Sequence, residues 1–144
     1  MENRVEKAVE LFKSGYNCAQ SVFTAYADFY GIDKDLALKL SSSFGGGLGG
    51  THREMCGAVC GMSMLVGLEL GVIVAKDSDK RKANYETVQK LTNKFREENG
   101  SITCKLSLKQ DLEIAPGKKR KPCVEYVRYC AELIEKTILN NNPD

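Results

Sequence analysis

The sequence predicts an all-α protein: one compact domain over residues 1–144, built of about five to six helices and carrying a glycine-rich loop. Three observations predict it. Apolar residues recur at i, i+3, i+4 and i+7 in most segments, capping residues stand before those segments, and glycines close them. With 144 residues and 42% hydrophobic content, the chain can form one core and has no room for a second catalytic domain.

Taken in order, Val5, Ala8, Val9 and Phe12 share one helix face, and Ser14-Gly15 ends that helix. Asn17 reads as an N-cap with Gln20 three residues on, the capping-box spacing. Behind it Val22, Phe23, Tyr26, Phe29 and Tyr30 form an aromatic-rich core stripe that stops at Gly31. Asp33 caps a third segment, Lys34 to Phe44, of double periodicity. Leu36, Leu38, Leu40 and Phe44 alternate as in a strand, whereas Leu36, Ala37, Leu40 and Phe44 fit a helix, which Ala, Leu and Lys favour. The block Gly45-Gly46-Gly47-Leu48-Gly49-Gly50 follows, then an apolar segment from Thr51 to about Leu70. Ser78 or Asp79 is expected to cap a long helix with Asn84, Val88, Leu91 and Phe95 on one face, ended by Gly100. Thr103 is expected to cap a short helical turn. A polar loop with Pro116-Gly117 leads to Pro122, read as a first helical residue, and to a last helix striped by Cys123, Val127, Cys130, Ile134 and Ile138.

Charge and residue content exclude several function classes. Twenty-one basic against nineteen acidic residues leave +2, which argues against a dedicated nucleic-acid binder, and the run Lys118 to Lys121 reads as a solvated loop face. The single histidine, His52, excludes a catalytic histidine pair. The first residues lack the apolar run of a secretory signal, and Met62–Val74 is too short and too interrupted to span a bilayer. A cytoplasmic protein with no membrane insertion is therefore expected. Gly45, Gly47 and Gly50 satisfy G-x-G-x-x-G, but no buried strand precedes them and no second βαβ unit follows. No nucleotide cofactor is expected. The block reads instead as a flexible loop that lets the backbone pass close to Cys56, or as a lid over it.

The unusual content is six cysteines: Cys18, Cys56, Cys60, Cys104, Cys123 and Cys130. In the cytoplasm, cysteines serve metal binding or redox chemistry more often than structural disulfides. Cys18 follows Asn17, Cys104 follows Thr103, Cys123 follows Pro122, and Cys56 falls in the second turn after the glycine block. Helix starts favour thiolate over thiol, and thiolate is both the nucleophile and the metal ligand. Cys60 lies four residues after Cys56 on the same helix face, awkward for a disulfide; it either shares a metal with Cys56 or packs. Cys60 and Cys130 read as mid-helix packing residues. Gly57 and Gly61 would let another helix approach closely. His52, four residues before Cys56, reads as a ligand, a proton donor or a plain surface residue, and neighbouring Arg53 as a charge that lowers the Cys56 pKa. No C-x-x-C is present, so any shared cysteine site must be assembled by the fold.

Cys56-Gly57-Ala58-Val59-Cys60-Gly61 resembles the C-G-A-x-x-G motif of the C_GCAxxG_C_C family, which is named for a proposed redox activity rather than a demonstrated reaction. Gly15-Tyr16-Asn17-Cys18-Ala19-Gln20 is similar to that family's upstream element, and Cys104 and Cys123 to its two trailing cysteines. The resemblance runs from about Gly15 to Tyr129 and leaves Cys60 and Cys130 outside the pattern. It implies a small helical protein in which four cysteines converge. A related domain attached to cluster-containing multihaem cytochromes also raises, by analogy, a cysteine-bound iron centre.

Three readings follow. The first is thiol redox, in which Cys18, Cys56, Cys104 and Cys123 cycle between dithiol and disulfide with a redox partner protein, assisted by His52 or Arg53. The second is a zinc or [2Fe–2S] site on the same four cysteines, making the protein an electron carrier or metal-stabilised module. The third is a helical interaction module with inert cysteines. The Gly57/Gly61 face and the Met62–Val74 stretch leave a homodimer as open as a monomer.

Overall fold

The computed structural model describes residues 3–108 and 111–139. Its helices are α1 (Val5–Lys13), α2 (Cys18–Ala27), α3 (Lys34–Ser41), α4 (Gly57–Leu70), α5 (Ser78–Asn99) and α6 (Cys123–Ile134). Short 3-10 turns, Asp28–Tyr30 and Ser42–Phe44, extend α2 and α3, and a π turn, Glu135–Leu139, extends α6. The all-α expectation holds, with one small addition: strands β1 (Glu113–Ala115) and β2 (Lys118–Lys119) pair antiparallel around Pro116-Gly117. Strands of three and two residues are too short to show alternation in a sequence.

Helix α2 is the central element. Every residue from Cys18 to Ala27 except Gln20 is buried, and the helix packs on α1, α3, α4 and α6. A helix buried all round must itself be apolar or small, as this one is. Helix α4 is apolar on all sides and fits against α2 because Gly61 has no side chain. A Cβ there would stand 2.8 Å from the Ala19 carbonyl oxygen and 3.1 Å from the Val22 Cβ. The close approach expected of Gly57 and Gly61 is thus made to α2. Helices α1 and α6 close the other side, tied by the Arg128–Glu6 ion pair, and Phe95 joins α5 to α6 through the Tyr126 and Tyr129 rings, at 5.6 and 5.9 Å. Among the described residues, no helix is long and apolar enough to cross a membrane.

Several local expectations are corrected. Asp33 caps α3 through the Leu36 N–H at 2.8 Å, but Leu36 and Leu40 point outward, and the helix buries Ala37 and Ser41 instead. The long helix is capped by Asp77, which accepts from the Lys80 N–H, rather than by Ser78 or Asp79. Gly100 ends it in the left-handed conformation, as anticipated. The segment from Thr51 is not helical until Gly57, so Cys56 is the N-cap of α4 and not part of its second turn. Pro122 likewise stands just outside α6, as its N-cap. Thr103 caps nothing: it pairs in an isolated antiparallel bridge with Met55. Extended backbone there satisfies the chain by pairing with residues 54–56, an option that local propensity does not reveal.

Candidate functional site

Each of four cysteines is delivered by a different local device. Cys18 opens α2 behind a complete capping box: Asn17 Oδ1 accepts from the Gln20 N–H at 2.9 Å, and Gln20 Oε1 accepts from the Asn17 N–H at 3.1 Å. Asn17 Nδ2 also donates to the Ser42 carbonyl at 3.0 Å, and Gly45 leaves room for that side chain, since any Cβ at 45 would overlap it. Cys56 and Cys104 are brought side by side by backbone pairing. The Cys56 N–H donates to Ile102 O and the Cys104 N–H to Glu54 O, both at 2.7 Å, on either side of the Met55–Thr103 bridge. Cys123 opens α6.

The glycine block folds into a left-handed turn. Gly46, Gly47, Leu48, Gly49 and Gly50 all have positive φ, and His52 follows at φ 60°. Glycine adopts such angles without steric cost, which explains why four of the five are glycine. The turn is held by N–H donation from Gly49 to Ser43 O at 2.8 Å and from His52 to Gly46 O at 2.8 Å. Its closest approach is to Cys104 rather than Cys56: a Cβ at Gly47 would stand 2.7 Å from the Cys104 Cβ. His52 Nδ1 lies 3.8 Å from Cys104 Sγ.

Cys18, Cys56, Cys104 and Cys123 line one cavity of about 170 Å³. Its other walls include Phe12, Phe95, Leu106, Ile114 and Tyr126, with the Arg120 side chain at the Cys123 end. Arg120 is only 4% exposed. Its Nη2 donates to Cys123 Sγ at 3.0 Å, its Nη1 donates to the Lys121 carbonyl, and its guanidinium sits 5.7 Å from the Tyr126 ring centre. No carboxylate among the described residues pairs with it.

These surroundings split the thiols. Cys123 is pulled down to about 6, first by a hydrogen bond from the Cys18 thiol and then by Arg120, which outweigh its partial burial. Cys18 is pushed far up, because it is the donor in that bond and because it is buried. Cys56 rises to about 12: burial dominates, although the Ala58 and Val59 N–H groups donate to its sulfur. Cys60 and Cys130 are raised by burial alone or mainly. A start-of-helix position was expected to favour thiolate at Cys18, Cys56, Cys104 and Cys123. It coincides with a lowered value only at Cys123, and Cys104 is not at a helix start at all.

The structure therefore gathers the four cysteines singled out from the sequence, and sets His52 beside Cys104. Arg53 is exposed and does not figure among the groups that shift Cys56. The cation on Cys123 is Arg120, which the sequence reading placed in a solvated basic run. Its signal was its place as the one arginine in that run, three residues before Cys123, close enough to fold back on the helix start. Cys60 is half-buried and Cys130 fully buried, and neither lines the cavity. Among the described residues no group of three cysteine, histidine or acidic side chains is placed to hold one metal ion, and the four cysteines form a sulfur wall of the cavity.

Residues 16–137 match the family described as "Putative redox-active protein (C_GCAxxG_C_C)", and the chain belongs to that family. No curated protein and no solved structure matches it.

Proposed function

We propose that this member of the C_GCAxxG_C_C family is a thiol–disulfide electron carrier whose working couple is Cys18 and Cys123. The observation that carries the reading is the Cys123 sulfur, which accepts from buried Arg120 at 3.0 Å and lines one cavity with the Cys18 thiol. One sulfur is ready as a nucleophile and its neighbour holds the proton, which is the division of labour that exchange requires.

In the oxidising half-reaction, the Cys123 thiolate attacks one sulfur of a disulfide RSSR. The S–S bond breaks, a Cys123–S–S–R bond forms, and RS⁻ departs. Cys18 then attacks the Cys123 sulfur, its proton leaving with the second R–S group as RSH. Two electrons pass to the substrate, and the protein retains a Cys18–Cys123 disulfide. Arg120 stabilises the thiolate before attack and again when Cys123 becomes the leaving group in the reverse direction. Cys56, held as a thiol by burial, and Cys104, facing His52, complete the sulfur wall.

The test uses the full chain, purified anaerobically and reduced. Metal content and the visible spectrum are recorded first, then the protein is treated with cystamine and its disulfides located by peptide mass spectrometry. A metal-free protein that forms a Cys18–Cys123 bond and alkylates fastest at Cys123 is the expected result. Stoichiometric zinc, sulfur-to-iron bands, or equal alkylation of Cys123 and Cys130 would overturn it.

A further inference from the structure

The cavity limits what can reach Cys123. Its volume of about 170 Å³ is close to that of engineered apolar cavities, about 150 Å³, that hold a molecule of benzene size. Phe12, Phe95, Leu106, Ile114 and Tyr126 make much of its lining apolar. A polar group placed against them would lose its hydration with little in return, at a cost of roughly 1–3 kcal/mol for each unpaired group. Asn17, Ser101, Thr103 and two cations, Lys105 and Arg120, also line the cavity; Arg120 is 4% exposed, lacks a carboxylate partner among the described residues and has a buried Nε with no acceptor. At the Cys123 end of the cavity Arg120 holds one negative charge, that of the Cys123 thiolate before attack.

On the carrier reading above, we infer that the cavity takes a small aliphatic disulfide, a five-membered dithiolane ring or a short dialkyl disulfide. The disulfides of folded proteins and of multiply charged peptides are excluded by size and by the apolar walls. Attack by Cys123 on a dithiolane opens the ring, forming one mixed S–S bond and freeing the other ring sulfur as a thiolate. The negative charge that Cys123 carried beside Arg120 passes to that sulfur. Attack by Cys18 on the Cys123 sulfur then releases the second ring sulfur, which takes the Cys18 proton. The free thiolate is protonated by solvent, and the product is the open-chain dithiol.

The reduced full chain would be oxidised in parallel by lipoamide, by oxidised glutathione and by disulfide-bonded insulin. Each rate is divided by that of free mercaptoethanol with the same oxidant at the same pH, which removes the intrinsic reactivity of the ring. The normalised lipoamide rate should exceed the other two at least tenfold. Leu106→Trp, at a 43%-exposed position on the cavity wall, should lower the lipoamide-to-glutathione ratio at least threefold while the chain stays folded by circular dichroism. Equal normalised rates, or a ratio unmoved by Leu106→Trp, would overturn the substrate class and leave the carrier standing. Failure of all three oxidants to form the Cys18–Cys123 bond would overturn both.

Discussion

At the start of α4, Cys56 is 7% exposed, accepts two backbone N–H groups, and is still driven up to about 12. At the start of α6, Cys123 is half-buried, faces a guanidinium and a donor thiol, and falls to about 6. Both sulfurs border the same cavity. The difference shows how little a helix terminus contributes to a thiolate once the surroundings are dry. Dipole and amide donors are worth a fraction of the desolvation they must offset at Cys56, whereas at the less buried Cys123 a donor thiol and then a full charge at 3.0 Å reverse the balance.

The sharpest way to test that contrast is to remove the lowered sulfur. At pH 7 the fraction of thiolate at Cys123 exceeds that at Cys56 by roughly five powers of ten; the weaker nucleophilicity of a low-pKa thiolate takes back about half of that exponent. Cys123 should therefore be labelled by iodoacetamide on the order of 100-fold faster than Cys56, and Cys123→Ser should remove that fastest phase. If Cys56 instead supplies an equally fast thiol in that variant, the contrast is wrong.

Next in size is Arg120→Met, which keeps the bulk and removes the charge. In the wild type, Cys123 alkylation should rise with pH around a midpoint near 6, because its charged form prevails above that value and is lost as pH falls through it. In the variant the midpoint should climb by at least one unit toward the ordinary thiol value of about 8.5. Arg120→Lys should restore part of the shift. A midpoint that stays near 6 in Arg120→Met would remove the guanidinium from the explanation.

Gly61→Ala probes the packing that brings α4 to α2. Its Cβ meets a backbone oxygen at 2.8 Å, and such overpacking costs about 1–3 kcal/mol, readable as a lower Tm. Asn17→Ala, which dismantles the capping box, should cost about 1 kcal/mol. Cys130→Ala is the smallest effect: a buried thiol two turns along α6 from Cys123 should leave the fast alkylation rate unchanged.

Much of this molecule was legible in the order of residues. The Asn17–Gln20 box, the Gly31 and Gly100 stops and the Val127–Cys130–Ile134 stripe are local signals, and each stands where its spacing puts it. The gathering of Cys18, Cys56, Cys104 and Cys123 came from caps and from the family resemblance together. Local reasoning failed where long-range pairing decides. Thr103 looks like a cap, yet residues 54–56 claim its segment for a bridge. Arg120 looks like one more surface charge, yet the chain turns it inward onto Cys123 and the Tyr126 ring. Met55, the bridge partner of Thr103, is far off in sequence, whereas Cys123 is only three residues from Arg120 and the basic run around Arg120 masks that pairing.

Cys18 opens the second helix and Cys123 the last. A bond between them would close a ring holding most of the chain, including α3, α4 and α5. In the chain-entropy view, a ring of about 100 residues restricts the unfolded ensemble by up to about 4.7 kcal/mol. Oxidation would thus harden the whole protein against heat and proteolysis, and reduction would loosen it. Electron load and resistance to degradation would then be set by the same two atoms.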